Sequence, residues 1–251
     1  MNAYGITDRG LVRKQNQDAY RILQKEDTLC AVVCDGMGGA RSGNVASEMA
    51  VKLFTGAMNL MKDEEPGKVM MDALELANRE VLRRSLDDPD CSGMGTTLVA
   101  AYLPDAAHAY VLNVGDSRAY QISPENGIRQ ITRDHSFVAD LVAQGKITPE
   151  QARTHPNKNI ITRALGTEEH TVGDLFEVEL AKDEFLLLCS DGLSNQVSEQ
   201  EILYEVVYGD SPDTCCQRLL DIALRRGAPD NVTAVLISAG DGVSDSEEVE
   251  D

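Results

Sequence analysis

Three segments of this sequence end an apolar run on an aspartate with glycine beside it. They are VVCDGMGG (32–39), VLNVGDS (111–117) and LLLCSDG (186–192), and their acids are Asp35, Asp116 and Asp191. Asp230 stands where a further apolar run begins. An ionised carboxylate at the end of a buried strand is costly unless it is paired or bound to a metal ion. Each acid taken alone has the character of an ordinary turn residue, but a divalent cation would explain all of them together.

The donor atoms of such a site would all be oxygen, which favours Mg²⁺ or Mn²⁺ over Zn²⁺. The chain has four histidines, and none of them forms an HExxH motif or another paired spacing. Gly36 and Gly192 would let the backbone fold tightly at the ion and offer carbonyl ligands. Neither GxxxxGK[ST] nor GxGxxG occurs in the sequence, so a nucleotide-binding fold is not supported.

A polar segment near the N-terminus, RKQNQD (13–18), carries a second kind of candidate. The guanidinium of Arg13 has the planar fork that binds a pair of phosphate oxygens, and Asp18 could reach a metal ion through a water molecule. Without the other acids, this segment would have the composition of an ordinary solvated loop.

The elements that must position these residues follow from hydrophobic periodicity. An edge strand is predicted within residues 1–10, a hairpin in DAYRIL and LCAVVCD, and helices over 44–61 and 66–86. Strands are predicted between 95 and 131, a helical and loop region over 136–165, and strands in LFEVEL, EFLLLCS and NVTAVLIS. Capping boxes at Thr148 and Ser198 and a proline at Pro212 predict three helix starts. The order lacks regular βαβ alternation and predicts an α+β layered fold.

Composition restricts the classes of partner. The chain has 251 residues and a formal net charge of −19, which disfavours nucleic acid and anionic membranes and suits cations. No signal peptide or membrane span is predicted, so we expect a cytoplasmic protein. The six cysteines form no CxxC pair, and Cys30, Cys34 and Cys189 are predicted to be core residues. We expect one domain over residues 1–240 and a disordered tail over 241–251, where six of eleven residues are acidic.

Eight segments of the chain resemble motifs of the protein phosphatase 2C family, the metal-dependent protein serine/threonine phosphatases, in its short bacterial form. In order, they are RKQNQDAY, VCDGMGGARSGNVAS, GMGTTLVAA, NVGDSRAYQI, TRDHSFV, NIITRALG, LLLCSDGLSN and PDNVTAVLI. They run from about residue 6 to residue 238. One such motif would be weak support, but eight in the family's order make the resemblance specific.

The resemblance implies a four-layer α-β-β-α sandwich, with two central antiparallel sheets flanked by helices. It implies hydrolysis of phosphoserine and phosphothreonine by water activated at a dinuclear Mn²⁺ or Mg²⁺ centre, without a covalent intermediate. Asp35 would bridge the two ions and the Gly36 carbonyl would bind one of them. Asp191 and Asp230 would hold the other ion, and Asp18 would act largely through bound water.

Three further assignments come from the same resemblance. Arg13 would grip the substrate phosphate and would act in catalysis with Asp35 and Asp191. Asp116 and Asp191 match a weaker third metal site. Residues 143–165 would form a flap beside the active site.

Two positions depart from the family pattern. Many eukaryotic relatives have histidine at the position of Met37, where it is the proposed general acid, and many bacterial relatives have histidine at the position of Ala40. The proton donor to the leaving serine or threonine is therefore unassigned, and water bound to a metal ion is the expected substitute.

The resemblance also implies phosphorylated proteins as partners and a bacterial serine/threonine kinase whose action the protein would oppose. We expect a monomer. Two alternatives stay open from the sequence. One is a catalytically weak phosphoprotein-binding module on the same fold, which the loss of a metal aspartate would indicate. The other is a phosphatase of an anti-sigma-factor antagonist in a partner-switching system, although such enzymes usually carry sensor domains.

Overall fold

Two antiparallel β-sheets lie face to face at the centre of the protein, and helices cover both outer faces. This architecture comes from a computed structural model that describes residues 1–38, 42–60 and 64–240. The strands are β1 (Asn2–Asp8), β2 (Asp18–Gln24), β3 (Leu29–Met37), β4 (Gly95–Thr96), β5 (Leu98–Leu103), β6 (His108–Val114), β7 (Arg118–Ser123), β8 (Gly127–Gln130), β9 (Asp174–Glu179), β10 (Phe185–Cys189) and β11 (Val232–Ser238). The helices are α1 (Gly43–Leu60), α2 (Pro66–Asp87), α3 (Phe137–Ala143), α4 (Pro149–Arg153), α5 (Asp191–Ser194), α6 (Glu199–Val207) and α7 (Pro212–Arg225), with a 3₁₀ turn at Pro89–Cys91.

The strand order brings distant parts of the chain together. Within the described residues, the first sheet runs β1-β11-β10-β7-β8 and the second runs β2-β3-β5-β6-β9, with β4 paired to the end of β3. Helices α1 and α2 pack on the second sheet, whereas α6 and α7 pack on the first. This is the four-layer α-β-β-α sandwich that was predicted.

Alternation along the strands divides the core into layers. In β3, Cys30, Val32 and Cys34 pack toward α1, whereas Leu29, Ala31 and Val33 pack between the sheets. In β10 and β11, the residues that pack between the sheets are Leu186, Leu188, Val235 and Ile237. Two positions further along these faces lie Asp35 in β3, Ser190 after β10 and Thr233 in β11, all at one end of the inter-sheet core.

The local predictions hold with small differences at the boundaries. Thr148 and Ser198 each form the predicted capping box, in which the side chain accepts from the backbone of the third helical residue. The helix predicted over 44–61 begins at Gly43, and its described part ends at Leu60. The strand predicted from TTLVAAYL is interrupted at Thr97, which separates β4 from β5. The short helix α5, which begins at Asp191, was not predicted.

Two further predictions concern the core and the membrane. Cys30, Cys34 and Cys189 are buried core residues, as predicted. Among the helices in the described ranges, none is both long and apolar enough to cross a bilayer. Ala40 and the tail over 241–251 lie outside the described residues.

Candidate active site

The predicted acids gather where the inter-sheet core meets solvent. Asp18 at the start of β2 is the register partner of Asp35 in β3, and residues directly opposite each other in an antiparallel pair point to the same face. Asp191 opens α5 immediately after β10, and Asp230 precedes β11. Asp116 follows β6 by two residues. The strand ends therefore bring acids from five separate parts of the chain to one cleft.

Two glycines are needed here because other backbone segments lie against them. A Cβ atom at Gly36 would overlap the carbonyl oxygen of Gly43, and a Cβ atom at Gly192 would overlap the carbonyl oxygen of Asn231. The Gly36 N–H donates to the carbonyl of Gln17 at 3.0 Å, which ties β3 to the segment that leads into β2. A side chain at either position would therefore displace the backbone segments next to the acids.

Asp18 is the most enclosed of the acids, at 7% exposure. Its Oδ2 atom accepts hydrogen bonds from Ser190 Oγ and Thr233 Oγ1, each at 2.7 Å. Its Oδ1 atom is buried without a hydrogen-bond partner among the described residues. One oxygen is thus fixed by two hydroxyls, and the other is buried with its bonding capacity unused among the described residues.

The segment before β2 is anchored by Asn231. The Asn231 Oδ1 atom accepts from the Gln17 N–H at 2.8 Å, and Nδ2 donates to the carbonyls of Arg9 and Gln15 at 2.8 and 2.9 Å. This anchoring places Arg13 at the rim of the cleft, where its Nη2 lies 2.6 Å from Asp230 Oδ2. The structure therefore brings Arg13 to the predicted site, paired with a predicted metal ligand.

The acids raise one another's pKa values. Burial is the largest cause of the rise at Asp35, whose pKa lies well above its ordinary value, and the negative charges of the other four acids add to it: Asp18, Asp191, Asp116 and Asp230. Burial likewise raises the pKa of Asp18 to about 7, that of Asp116 to about 7 and that of Asp191 to about 6. Such mutual repulsion indicates a site in which positive charge is needed to hold the ionised carboxylates together.

The donor set fits divalent cations. Asp191 Oδ1, like Asp18 Oδ1, is buried without a hydrogen-bond partner in the described structure, and all candidate donors are oxygen, as Mg²⁺ and Mn²⁺ prefer. No three Asp, Glu, His or Cys side chains among the described residues converge closely enough to hold an ion by themselves. Ions here would therefore take few protein ligands each and complete their shells with water, which is the usual state of Mg²⁺ in proteins.

The backbone around Asp35 and Asp116 is joined by a buried hydroxyl pair. Thr97 Oγ1 accepts from the Asp35 N–H at 2.9 Å and lies 2.7 Å from Ser117 Oγ. Gly115 has a φ of +108°, and a Cβ atom there would come 2.6 Å from Thr97 Cγ2. The interruption at Thr97 between β4 and β5 thus serves to connect two of the acid-bearing segments.

A buried histidine supports the Asp116 segment from the other side. The Nδ1 atom of His135 accepts from the Gly115 N–H at 3.1 Å, and the backbone N–H of His135 donates to the Gly115 carbonyl at 2.9 Å. The Nε2 atom of His135 lies 3.1 Å from Asp174 Oδ2. The other oxygen of Asp174, Oδ1, accepts a hydrogen bond from Arg163 at 2.9 Å. Since Nδ1 accepts, Nε2 carries the proton and donates to Asp174.

Sequence analysis assigned no role to the residues that hold the acids in place: Ser190, Thr233, Asn231 and His135. A signal exists for Ser190, Thr233 and Asn231, which are polar residues at the end of an apolar run or next to one of the acids, but His135 has no such signal. That signal alone does not say which atoms they contact, since their partners are distant in sequence. The segment over 143–165, predicted as a flap, contains α4 and lines a cavity next to Asp116 and Asp191.

Comparison with known proteins gives a consistent result. The family model for protein phosphatase 2C matches residues 12–220. The serine/threonine phosphatase stp of Listeria monocytogenes serotype 4b is 39% identical over 246 residues, which cover 94% of this chain and 95% of that protein. The crystal structure of the serine/threonine phosphatase Stp1 from Staphylococcus aureus has a TM-score of 0.88 at 37% identity, with 94% of each chain covered.

A further solved structure bears on the metal. The catalytic domain of the serine/threonine protein phosphatase PstP in complex with two manganese ions has a TM-score of 0.84 and 33% identity. The match covers 96% of this chain and 98% of that one.

Proposed function

The chain belongs to the protein phosphatase 2C family and is a metal-dependent protein serine/threonine phosphatase, and we propose that the cleft between the sheets is its catalytic centre. The observation that carries this assignment is the environment of Asp18 and Asp191. Each has a buried carboxylate oxygen without a partner among the described residues, beside an Asp35 whose pKa is raised by burial and by the surrounding acids. Cations would remove both costs at once.

We propose the following ligands. Asp35 would lie between two ions, the Gly36 carbonyl would bind one of them, and Asp191 and Asp230 would hold the other. Asp18, fixed by Ser190 and Thr233, would act largely through bound water. Divalent cations in such a site lower the pKa of bound water and so supply a nucleophile at neutral pH. Both Mn²⁺ and Mg²⁺ suit this donor set, and the proposal holds for either ion.

Arg13 would bind the substrate phosphate. Its side chain is 51% exposed at the rim, and it pairs with Asp230 at 2.6 Å. A cation held by Asp230 would compete with the guanidinium for the carboxylate and would leave the fork of Arg13 available for two phosphate oxygens. Arg13 would also stabilise the charge that develops on the phosphoryl oxygens as the bond to phosphorus forms.

The donor of a proton to the leaving hydroxyl is not an obvious histidine. Met37 at the end of β3 offers no imidazole, and His135 has one nitrogen occupied by Gly115 and the other by Asp174. We propose that Asp116 and Asp191, which share one wall of the cleft, hold a third and weaker cation for this task. The position of Asp116 beside Asp191 supports this reading, because the charge of Asp191 contributes to the raised pKa of Asp116.

The cellular setting is part of the proposal. The relatives from Listeria monocytogenes and Staphylococcus aureus are named serine/threonine phosphatases, which supports phosphorylated proteins as substrates. We propose a bacterial serine/threonine kinase as the enzyme that this protein opposes. We propose a monomer in the cytoplasm, with one catalytic domain over residues 1–240 and a tail over 241–251.

The direct test is hydrolysis of a phosphothreonine peptide and of nitrophenyl phosphate with Mn²⁺, with and without chelator. Asp35→Asn and Asp191→Asn should each lose most of the activity at limiting Mn²⁺, because each removes a ligand charge. Asp105→Asn is the matched control, since Asp105 is exposed and pairs with His108. Turnover close to that of the wild type in either cleft variant contradicts the role assigned to that residue.

A further inference from the structure

A cavity of about 470 Å³ opens beside the acids, between the flap and the body of the protein. Asp116 and Asp191 form part of its wall, so it is continuous with the proposed catalytic centre. Its apolar lining comes from α3 and from the flap and includes Val138, Val142 and Ala152. A sphere of this volume is about 10 Å across, which corresponds to about three residues of extended chain. A peptide whose phosphorylated residue lies in the cleft would therefore place neighbouring residues here.

Some of the charged groups in the wall are already neutralised. Arg118 binds Asp134 through two nitrogens, at 2.9 Å from Nε to Oδ1 and 2.7 Å from Nη2 to Oδ2. Arg133 lies 3.5 Å from Asp140. These arginines therefore have acidic partners within the protein.

Arg153 at the end of α4 and Lys158 after that helix differ from these arginines in their partners. Neither side chain has a hydrogen bond or an ion pair with any of the described residues. Burial raises the pKa of Asp191, and the charge of Lys158 only partly opposes that rise. A hydrogen bond with Thr148 lowers the pKa of Glu150, and the charge of Arg153 contributes to the same shift. Both also line a second cavity, of about 230 Å³, next to the first. Glu199 lies in the same walls, but it occupies the first turn of α6, where a negative charge complements the helix N-terminus. In a protein of net charge −19, two exposed cations without an ion pair in the described structure, at the junction of two cavities, favour an anionic ligand.

We propose that this cavity is a subsite for an anionic side chain of the phosphoprotein substrate, bound by Arg153 and Lys158 within about three residues of the phosphorylated serine or threonine. The aliphatic part of that side chain would pack on Val142 and Ala152. The ligand chemistry is an anionic group, either a carboxylate or a second phosphoryl group. This inference rests on the proposed function, because it takes the neighbouring cleft as the place where the phosphate is hydrolysed.

The test uses phosphothreonine peptides in which one residue at a time, from four before to four after the phosphothreonine, is glutamate, glutamine or phosphoserine. The measured quantity is the ratio of kcat/KM for glutamate over glutamine at each position. For exposed ion pairs and a partly enclosed site we expect a ratio of about 3 to 10 at one or two adjacent positions. Phosphoserine at the same position distinguishes a subsite for carboxylates from one that prefers phosphoryl groups.

Arg153→Gln and Lys158→Gln should each reduce this ratio, and the double variant should bring it to about one. Arg225→Gln and Lys182→Gln are matched controls, because they remove the same charge at exposed positions outside the cavity and should keep the ratio of the wild type. A uniform ratio of about one in the wild type overturns the subsite. An equal fall in the controls also overturns it, since the preference would then come from overall charge.

The two proposals fail in different ways. If the wild type hydrolyses neither the peptides nor nitrophenyl phosphate with Mn²⁺, the proposed function is wrong. If the wild type hydrolyses all of them and Arg153→Gln lowers kcat/KM equally for glutamate and glutamine peptides, the proposed function stands and the anionic subsite is wrong.

Discussion

Thr233→Val removes one hydroxyl that fixes a proposed metal-site acid and changes little else. Thr233 is fully buried in β11, and valine keeps its shape and suits a strand. The hydroxyl donates to Asp18 Oδ2 at 2.7 Å and lies 2.7 Å from Thr7 Oγ1. Thr7 is exposed and can bond to water instead, so the main loss is at Asp18, which keeps Ser190. A hydrogen bond to a charged acceptor contributes about 1.5–3 kcal/mol, which corresponds to about one to two pKa units.

The sign of the effect follows from linkage. Burial raises the pKa of Asp18 to about 7 in the metal-free fold, so this acid destabilises that fold increasingly as the pH rises from its ordinary pKa toward 7. The Thr233 hydroxyl opposes this shift, and its loss raises the pKa further. Because a cation needs the ionised carboxylate, the variant should bind Mn²⁺ about 10- to 100-fold more weakly near pH 6.5. The difference from the wild type should narrow toward pH 8.5, as Asp18 becomes ionised in both proteins.

The assay is calorimetric titration of metal-free protein with Mn²⁺ at both pH values. Thr55→Val is the matched control, since Thr55 is a buried threonine whose hydroxyl donates to the Val51 carbonyl within α1 at 2.6 Å. It should leave the Mn²⁺ affinity at the wild-type value. The reasoning fails if Thr233→Val binds Mn²⁺ as tightly as the wild type at pH 6.5, or if the loss is the same at both pH values.

Three further outcomes are expected. Arg13→Ala should raise KM for a phosphopeptide about tenfold, the low end for a charge-assisted contact because the side chain is half exposed; kinetics unchanged from the wild type on both the peptide and nitrophenyl phosphate would contradict this. Asp116→Ala should lower kcat more on the phosphothreonine peptide than on nitrophenyl phosphate, since the alkoxide leaving group needs a proton; equal losses would make Asp116 structural. Gly192→Ala should destabilise the fold by about 1–3 kcal/mol or more in urea, because its Cβ would overlap the Asn231 carbonyl, whereas Gly56→Ala has open space in α1 and should stabilise it by up to about 1 kcal/mol. The same sign for both glycine variants would refute the packing argument.

The parts of the fold that the sequence predicted are those governed by local rules. The capping boxes at Thr148 and Ser198 and the apolar period of α1 and α2 depend on residues three or four apart, and the structure has them where the sequence placed them. The break at Thr97 was not predicted, because TTLVAAYL reads as one strand. At this break, the Thr97 hydroxyl lies 2.7 Å from that of Ser117, twenty residues away, and such a distant contact has no local signal.

The same distinction applies to the site. The structure brings Asp35, Asp116 and Asp191 to one cleft with Asp18 and Asp230, although local pattern alone could not show that they converge. The groups that hold the acids could not be predicted, since Asp18 is bonded by Thr233 from 215 positions away. The pairing of Arg13 with Asp230 was not predicted either, because the expected ligand of Arg13 is the substrate phosphate and that of Asp230 is a metal ion.

The central claim is that the acids of this cleft hold two divalent cations, and anomalous diffraction from a crystal grown with Mn²⁺ tests it most directly. The account predicts two manganese peaks with Asp35 between them, one bound by the Gly36 carbonyl and the other by Asp191 and Asp230. It also predicts that Arg13 has left Asp230. A cleft without a manganese peak, or manganese bound only elsewhere on this acidic surface while Arg13 stays paired with Asp230, would contradict it.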